Sequence, residues 1–124
     1  MGRKVTDGLS LDFTAPAATA IEEGEIYRVD GWTHFAVTAV SATDANRNYA
    51  GDVSEALYRC KVPAATAATR GSYLGWSAGA GFKKGDTDLV AIADADGSIP
   101  AGAVAKVEGV RNAGGYATLR LVQQ

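Results

Sequence analysis

The feature that most constrains this chain is its punctuation. Glycine occurs 15 times in 124 residues, and turn signals recur at roughly 8–12-residue spacing. Alanine is the commonest residue and favours helix, as in Ala64-Ala65-Thr66-Ala67-Ala68-Thr69. Even so, repeated glycine, β-branched residues and turns keep most windows below helical length. The segments between turns carry a period of two. The chain therefore reads as all-β, with roughly seven to nine short strands in the pattern of an antiparallel barrel or sandwich.

Individual strands follow from the same rule. Leu9, Leu11 and Phe13 alternate with polar neighbours and predict a half-buried first strand, ended or placed at an edge by Pro16. Glu22-Glu23-Gly24 predicts a turn. A strand over 26–29 meets Asp30-Gly31, a strong hairpin signal because both positions tolerate positive φ. The return strand is expected over 32–40, with Phe35, Val37 and Ala39 on one face. Residues 41–52 read as polar and irregular. The longest strand is expected over 53–62, with Ala56, Tyr58, Cys60 and Val62 facing inward and Leu57 out of phase.

Pro63 closes that strand, and residues 64–69 make one helical turn or none. Residues 73–77 and the segment around Phe82 read as a small hairpin bent by Gly75, Gly79 and Gly81. Strands are expected over 89–93, 103–110 and 116–122, the last burying Ala117, Leu119 and Leu121. Turns are expected over 94–97 and 112–115. Residues 1–8 read as a loose N-terminal arm, and 9–124 as one β-rich domain, since this length accommodates no second sizeable core.

Composition narrows the function classes. Twelve basic and 14 acidic residues give a formal charge of −2. This argues against non-specific binding to nucleic acid or an anionic membrane, which needs clustered positive charge. No segment approaches the ~20 apolar residues of a membrane span, and the Met-Gly-Arg-Lys start lacks the apolar region of a signal peptide. One cysteine excludes an intrachain disulfide and a cysteine-rich zinc site.

Catalytic constellations are not apparent. His34 is the only histidine, and it lies in a strand between Trp32 and Phe35 with no nucleophile signature around any serine or around Cys60. It reads as a structural or surface residue. Cys60, in phase with Tyr58 and Val62, reads as a small core residue. Gly75, Gly79, Gly81 and Gly85 match no phosphate-loop spacing and read as turn glycines. Asp44, Asn46, Asn48, Asp52 and Glu55 fall at calcium-loop spacing, but Tyr49 stands where the sharp turn needs glycine, so a solvated loop is the preferred reading. Asp86, Asp88, Asp94 and Asp96 are a weaker group, divided by a strand. No metal or other cofactor is expected.

The order of segments has a specific likeness. It runs from Leu11-Asp12-Phe13-Thr14-Ala15-Pro16-Ala17 through "EIYRVDGWTHFAVTAV", "VSEALYRCKVPAAT", "RGSYLGWSAGAGFKK" and "AGAVAKVEGV" to "GGYATLRLVQQ". This resembles the small capsid cement, or decoration, proteins of tailed bacteriophages. In that family a "VTAPAG"-like opening, a strand ending in Lys-x-Pro, a "GDPVYWD"-like segment and a "VRVRL"-like end recur. The matching positions are 14–17, 55–63, 71–76 and 117–121. The chain departs at Arg70-Gly71-Ser72, where the family often has Gly-Asp, and in extra residues over 84–100 that add a hairpin or loop.

The resemblance implies a β-barrel or β-tulip-like domain without enzymatic activity. It implies a place on the outer surface of the mature phage head, as a homotrimer that staples neighbouring capsomers of the major capsid protein. The candidate contact residues are Arg3, Lys4, Val5, Leu9, Leu11 and Phe13 along the arm and first strand, with Trp32 and Trp76 as large rings suited to an interface. Core burial is an equal reading for Leu9, Leu11 and Phe13, and at least an equal one for both tryptophans. Two other classes remain open: a free-standing small-ligand or calcium-binding β-barrel, and a tail or adaptor component of a phage.

Overall fold

The computed structural model describes residues 10–93 and 98–122. Ten strands and one helical turn follow in the order β1 (Ser10–Thr14), β2 (Ile26–Val29), β3 (Trp32–Ala36), β4 (Asn48–Asp52), β5 (Leu57–Lys61), β6 (Tyr73–Trp76), β7 (Lys83–Lys84), α1 (Gly85–Asp88), β8 (Leu89–Ile92), β9 (Ala103–Gly109) and β10 (Tyr116–Leu121). They form two antiparallel sheets of five strands, ordered β1-β4-β3-β2-β7 and β5-β10-β9-β6-β8.

Local signals that need no tertiary help are realised where expected. The β2–β3 hairpin turns on Asp30 at φ 52° and Gly31 at φ 79°, the double positive φ that an Asp-Gly hairpin supplies. Asn112 caps the β9–β10 turn by accepting from the Tyr116 N–H at 3.0 Å. β5 and β10 alternate cleanly: Tyr58, Cys60 and Val62 are buried, as are Ala117, Leu119 and Leu121, whereas Ala56, expected inward, precedes β5 and is exposed.

Four expectations are corrected. Residues 48–52 are not irregular but form β4, which sits between β1 and β3. The strand expected from residue 53 begins at Leu57, after a bend over 54–55. Burial in β3 falls on both faces, on Thr33 toward one side and His34 and Ala36 toward the other, with Phe35 half-buried; Val37 is exposed and Ala39 lies beyond the strand. Strand β6 does not pair with the segment around Phe82. It pairs with β8 and β9, while β7 joins β2 in the other sheet. Residues 64–69 form turns, with Ala67 at positive φ. Residues 84–100, where an added hairpin or loop is expected, contribute α1 and β8, the expected 94–97 turn falling outside the described residues.

The β3 correction has a simple cause. Both faces of the first sheet are covered, so apolar and polar residues need not alternate along it. One core lies between the sheets and contains Ile26, Leu74, Leu89, Val107, Leu119 and Leu121, with Phe35 and Trp76 packed against it. Trp76 ties the sheets by donating its Nε1–H to Thr33 Oγ1 at 2.8 Å. A second core lies on the other face of the first sheet. Phe13, Tyr27, Ala36 and Tyr49 meet Ala15, Ile21 and Val40 from the connecting loops there. Arg47 pins those loops, donating to the carbonyls of Ser41 (2.6 Å), Pro16 (2.8 Å) and Thr19.

Candidate docking surface

The first sheet curls so that its two margins share a groove. β1 and β7 lie at opposite ends of the strand order. Yet residues 14–16, at the end of β1 and just beyond it, line a cavity of about 790 Å³ together with residues 28–31 of the β2–β3 hairpin and 79–82 before β7. Arg28 builds one wall. Its Nε donates to Gly81 O at 3.2 Å and its Nη2 to Gly79 O and Gly81 O at 3.1 and 2.9 Å, folding the glycine loop onto β2. Phe82 then lies against Tyr27, with ring centroids 5.7 Å apart. Trp32, 47% exposed, stands at the hairpin that borders the groove.

The residues singled out from sequence separate here. Trp32 and Leu11 (37% exposed) are on the surface. Phe13 is only 5% exposed and stacks on His34 at 3.8 Å with the rings 10° apart, so of its two readings the core one describes it. Trp76 is half-buried and spends its indole N–H between the sheets. Arg3, Lys4, Val5 and Leu9 lie outside the described residues. The contribution of Arg28, Gly79, Gly81 and Phe82 had no sequence signal beyond the glycines themselves, because an arginine reaching 51–53 residues along the chain has none.

His34 is fully buried, and both ring nitrogens are engaged. Nδ1–H donates to Trp32 O at 3.0 Å, and Nε2 accepts from the Tyr49 hydroxyl at 2.6 Å. This assignment satisfies a neutral ring. Burial pulls its pKa down to about 4 against the pull of the Trp32 carbonyl, and burial also raises that of Tyr49. The pair is positioned as packing, with no nitrogen turned to solvent. Burial likewise pushes the Cys60 thiol up to about 12, leaving no appreciable thiolate at neutral pH.

The oxygens of the calcium-spaced loop serve the loop itself. Asp44 accepts from Ser41 N, Asn46 from Asn48 N and Asp52 from Ser54 N, at 2.8, 3.0 and 2.9 Å. Asn48 lies in β4 and accepts from Thr14 Oγ1 of β1. Among the described residues no three His, Cys, Asp or Glu side chains are placed to hold a metal ion, and no helix is long and apolar enough to cross a membrane. No family model, curated protein or solved structure matches the chain.

Proposed function

We propose that this protein decorates the head of a tailed phage: it binds the outer surface of the mature shell and staples neighbouring capsomers, without catalysis. The two curled sheets are then the β-tulip-like form of that family, and the working unit is a homotrimer. The reading is supported by the order of segments, which resembles the family over nearly the whole chain. The single structural observation that carries it is the margin of the first sheet. Among the described residues β1 pairs with β4 on one side only, and beside it lie the groove and the exposed side chains of Trp32 and Leu11.

An edge strand offers a row of backbone donors and acceptors to a second sheet. Strand addition takes affinity from those bonds and specificity from alternate side chains. On this reading residues 1–8, which precede β1 in the sequence, carry that contact onto the major capsid protein. Three linked copies raise the overall affinity by roughly 10²–10⁴ through effective concentration alone.

Deleting residues 1–8 is expected to leave the melting temperature unchanged and to weaken binding to expanded heads roughly tenfold or more, a figure read by co-sedimentation. Full occupancy by the shortened chain at the same concentration would remove the arm from the contact. The groove volume, about 790 Å³, also lies in the range of small-ligand pockets, which favours a ligand-binding barrel as the second reading. A monomer whose melting temperature rises with a small ligand would select it.

A further inference from the structure

The outer face of the second sheet gathers basic residues that are far apart in the sequence. One row runs across all five strands, Leu57–Arg120–Lys106–Tyr73–Ile92, each residue paired with the next. Alongside it Arg59 opposes Thr118, and Lys61 opposes Tyr116. Four cations thus share a face with Glu108, which accepts from Arg120 Nε at 3.2 Å, and with Glu55 at its margin, whose backbone carbonyl accepts from Arg120 Nη1 at 3.4 Å. In a chain whose formal charge is −2, this leaves the remainder distinctly acidic.

The tyrosines of this face already have partners. Arg59 and Lys61 lie 5.3 and 5.7 Å from the Tyr116 ring centre, and Lys106 lies 5.5 Å from that of Tyr73, which is 7% exposed. The cations lie against the rings, and Tyr73 is buried, so the face offers little open ring surface for a nucleobase to stack on. The composition, arginine and tyrosine with Leu57 exposed at the rim, is that of a protein interface.

The complementary surface is on the same molecule. Glu25 of the turn before β2 lies within electrostatic reach of Glu22 and of Asp86 in α1, with Lys84 Nζ 4.0 Å from Asp86; Glu23 and Asp88 extend the acidic run on either segment of the chain. Burial holds the Glu25 carboxyl above its usual range. A hydrogen bond from Lys61 N and the Lys61 charge oppose that, and the charges of Asp86 and Glu22 add to it. This corner adjoins the basic face along β5, where Lys61 N donates to Glu25 Oε1 at 3.2 Å.

We infer that the basic face of one copy docks on the acidic corner of a second copy, head to tail. Head-to-tail contacts make rings when they close and filaments when they do not. Complementary patches on opposite sides of a subunit propagate a line. Here the two patches adjoin along β5 rather than lying on opposite sides, which favours closure over a line. The inference refines the self-association of the proposed function and rests on that reading only for its purpose. It is tested without phage heads, so its failure and a failure of head binding appear in different measurements.

The test is sedimentation velocity of the full chain at ~50 mM and ~500 mM salt, conditions that span weak and strong screening. A closed oligomer is expected at low salt, with the equilibrium moving toward monomer at high salt. Arg59→Glu with Lys106→Glu should weaken association roughly tenfold or more, because like charges then meet. Glu22→Lys with Glu23→Lys should do the same. Combining all four substitutions restores complementarity between copies and should restore the oligomer. Unchanged melting temperatures establish that the variants are folded. A wild-type monomer at low salt overturns the inference, and so does association that ignores the reversals or a fourfold variant that stays dissociated. A monomer that instead retains a single-stranded oligonucleotide through Arg59 and Lys106 overturns it in favour of nucleic acid.

Discussion

Gly51→Ala is expected to destabilise the fold by about 1–3 kcal/mol, the range for overpacking a filled core. A Cβ at this position would lie 2.5 Å from His34 Cδ2 and 2.7 Å from Phe13 Cε2. Neither ring has room to retreat. Phe13 is stacked on His34, and His34 is held at both nitrogens. Gly51 pairs with Leu11 on one side and Ala36 on the other, so the backbone cannot withdraw without breaking two ladders. The melting temperature should fall on the order of 5–10 °C. An unchanged melt would mean that the ring stack yields freely, and that this second core contributes little.

Acidification is expected to weaken the protein through His34. Its pKa falls from the ordinary 6.5 to about 4 on folding, because burial penalises the imidazolium. The unfolded chain therefore takes up the proton first. Stability from the neutral ring is complete above about pH 6.5 and is lost as the pH falls toward 4, at up to ~1.4 kcal/mol per pH unit and ~3 kcal/mol in all. Glu25, whose carboxyl is raised by burial, acts in the opposite sense at acid pH, so the histidine contribution is isolated by difference. Urea unfolding of wild type and His34→Gln across this range should show a steeper pH dependence in the wild type. Parallel profiles would mean that His34 protonates in the folded state without cost.

What was legible in the sequence was local. Asp30-Gly31 carries its own turn geometry, and β10 faces one core and one surface, so its alternation is plain. β4 was illegible because Asn48-Tyr49-Ala50-Gly51-Asp52 has little intrinsic strand preference. Its glycine is required by two rings contributed from β1 and β3, which is tertiary information. The two-residue β7 has no periodicity to read and exists by pairing with β2. The basic face was invisible for the same reason. Arg59, Lys106 and Arg120 alternate with neutral or acidic neighbours along the chain and become neighbours only through the register of β5, β10 and β9. Of the candidate contact residues, Trp32 was placed on the surface by its position next to a tight turn, whereas Phe13 was drawn inward by His34.

The central claim is that this chain acts by bridging surfaces. Under the proposed function it is tested most directly by mixing the purified protein with expanded heads and with precursor shells of the phage that would encode it, and measuring bound copies after sedimentation. Saturable binding to expanded heads, with little or none to precursor shells, is the result the account predicts. Failure to bind either particle, or recovery of the protein with tails in place of heads, would contradict it.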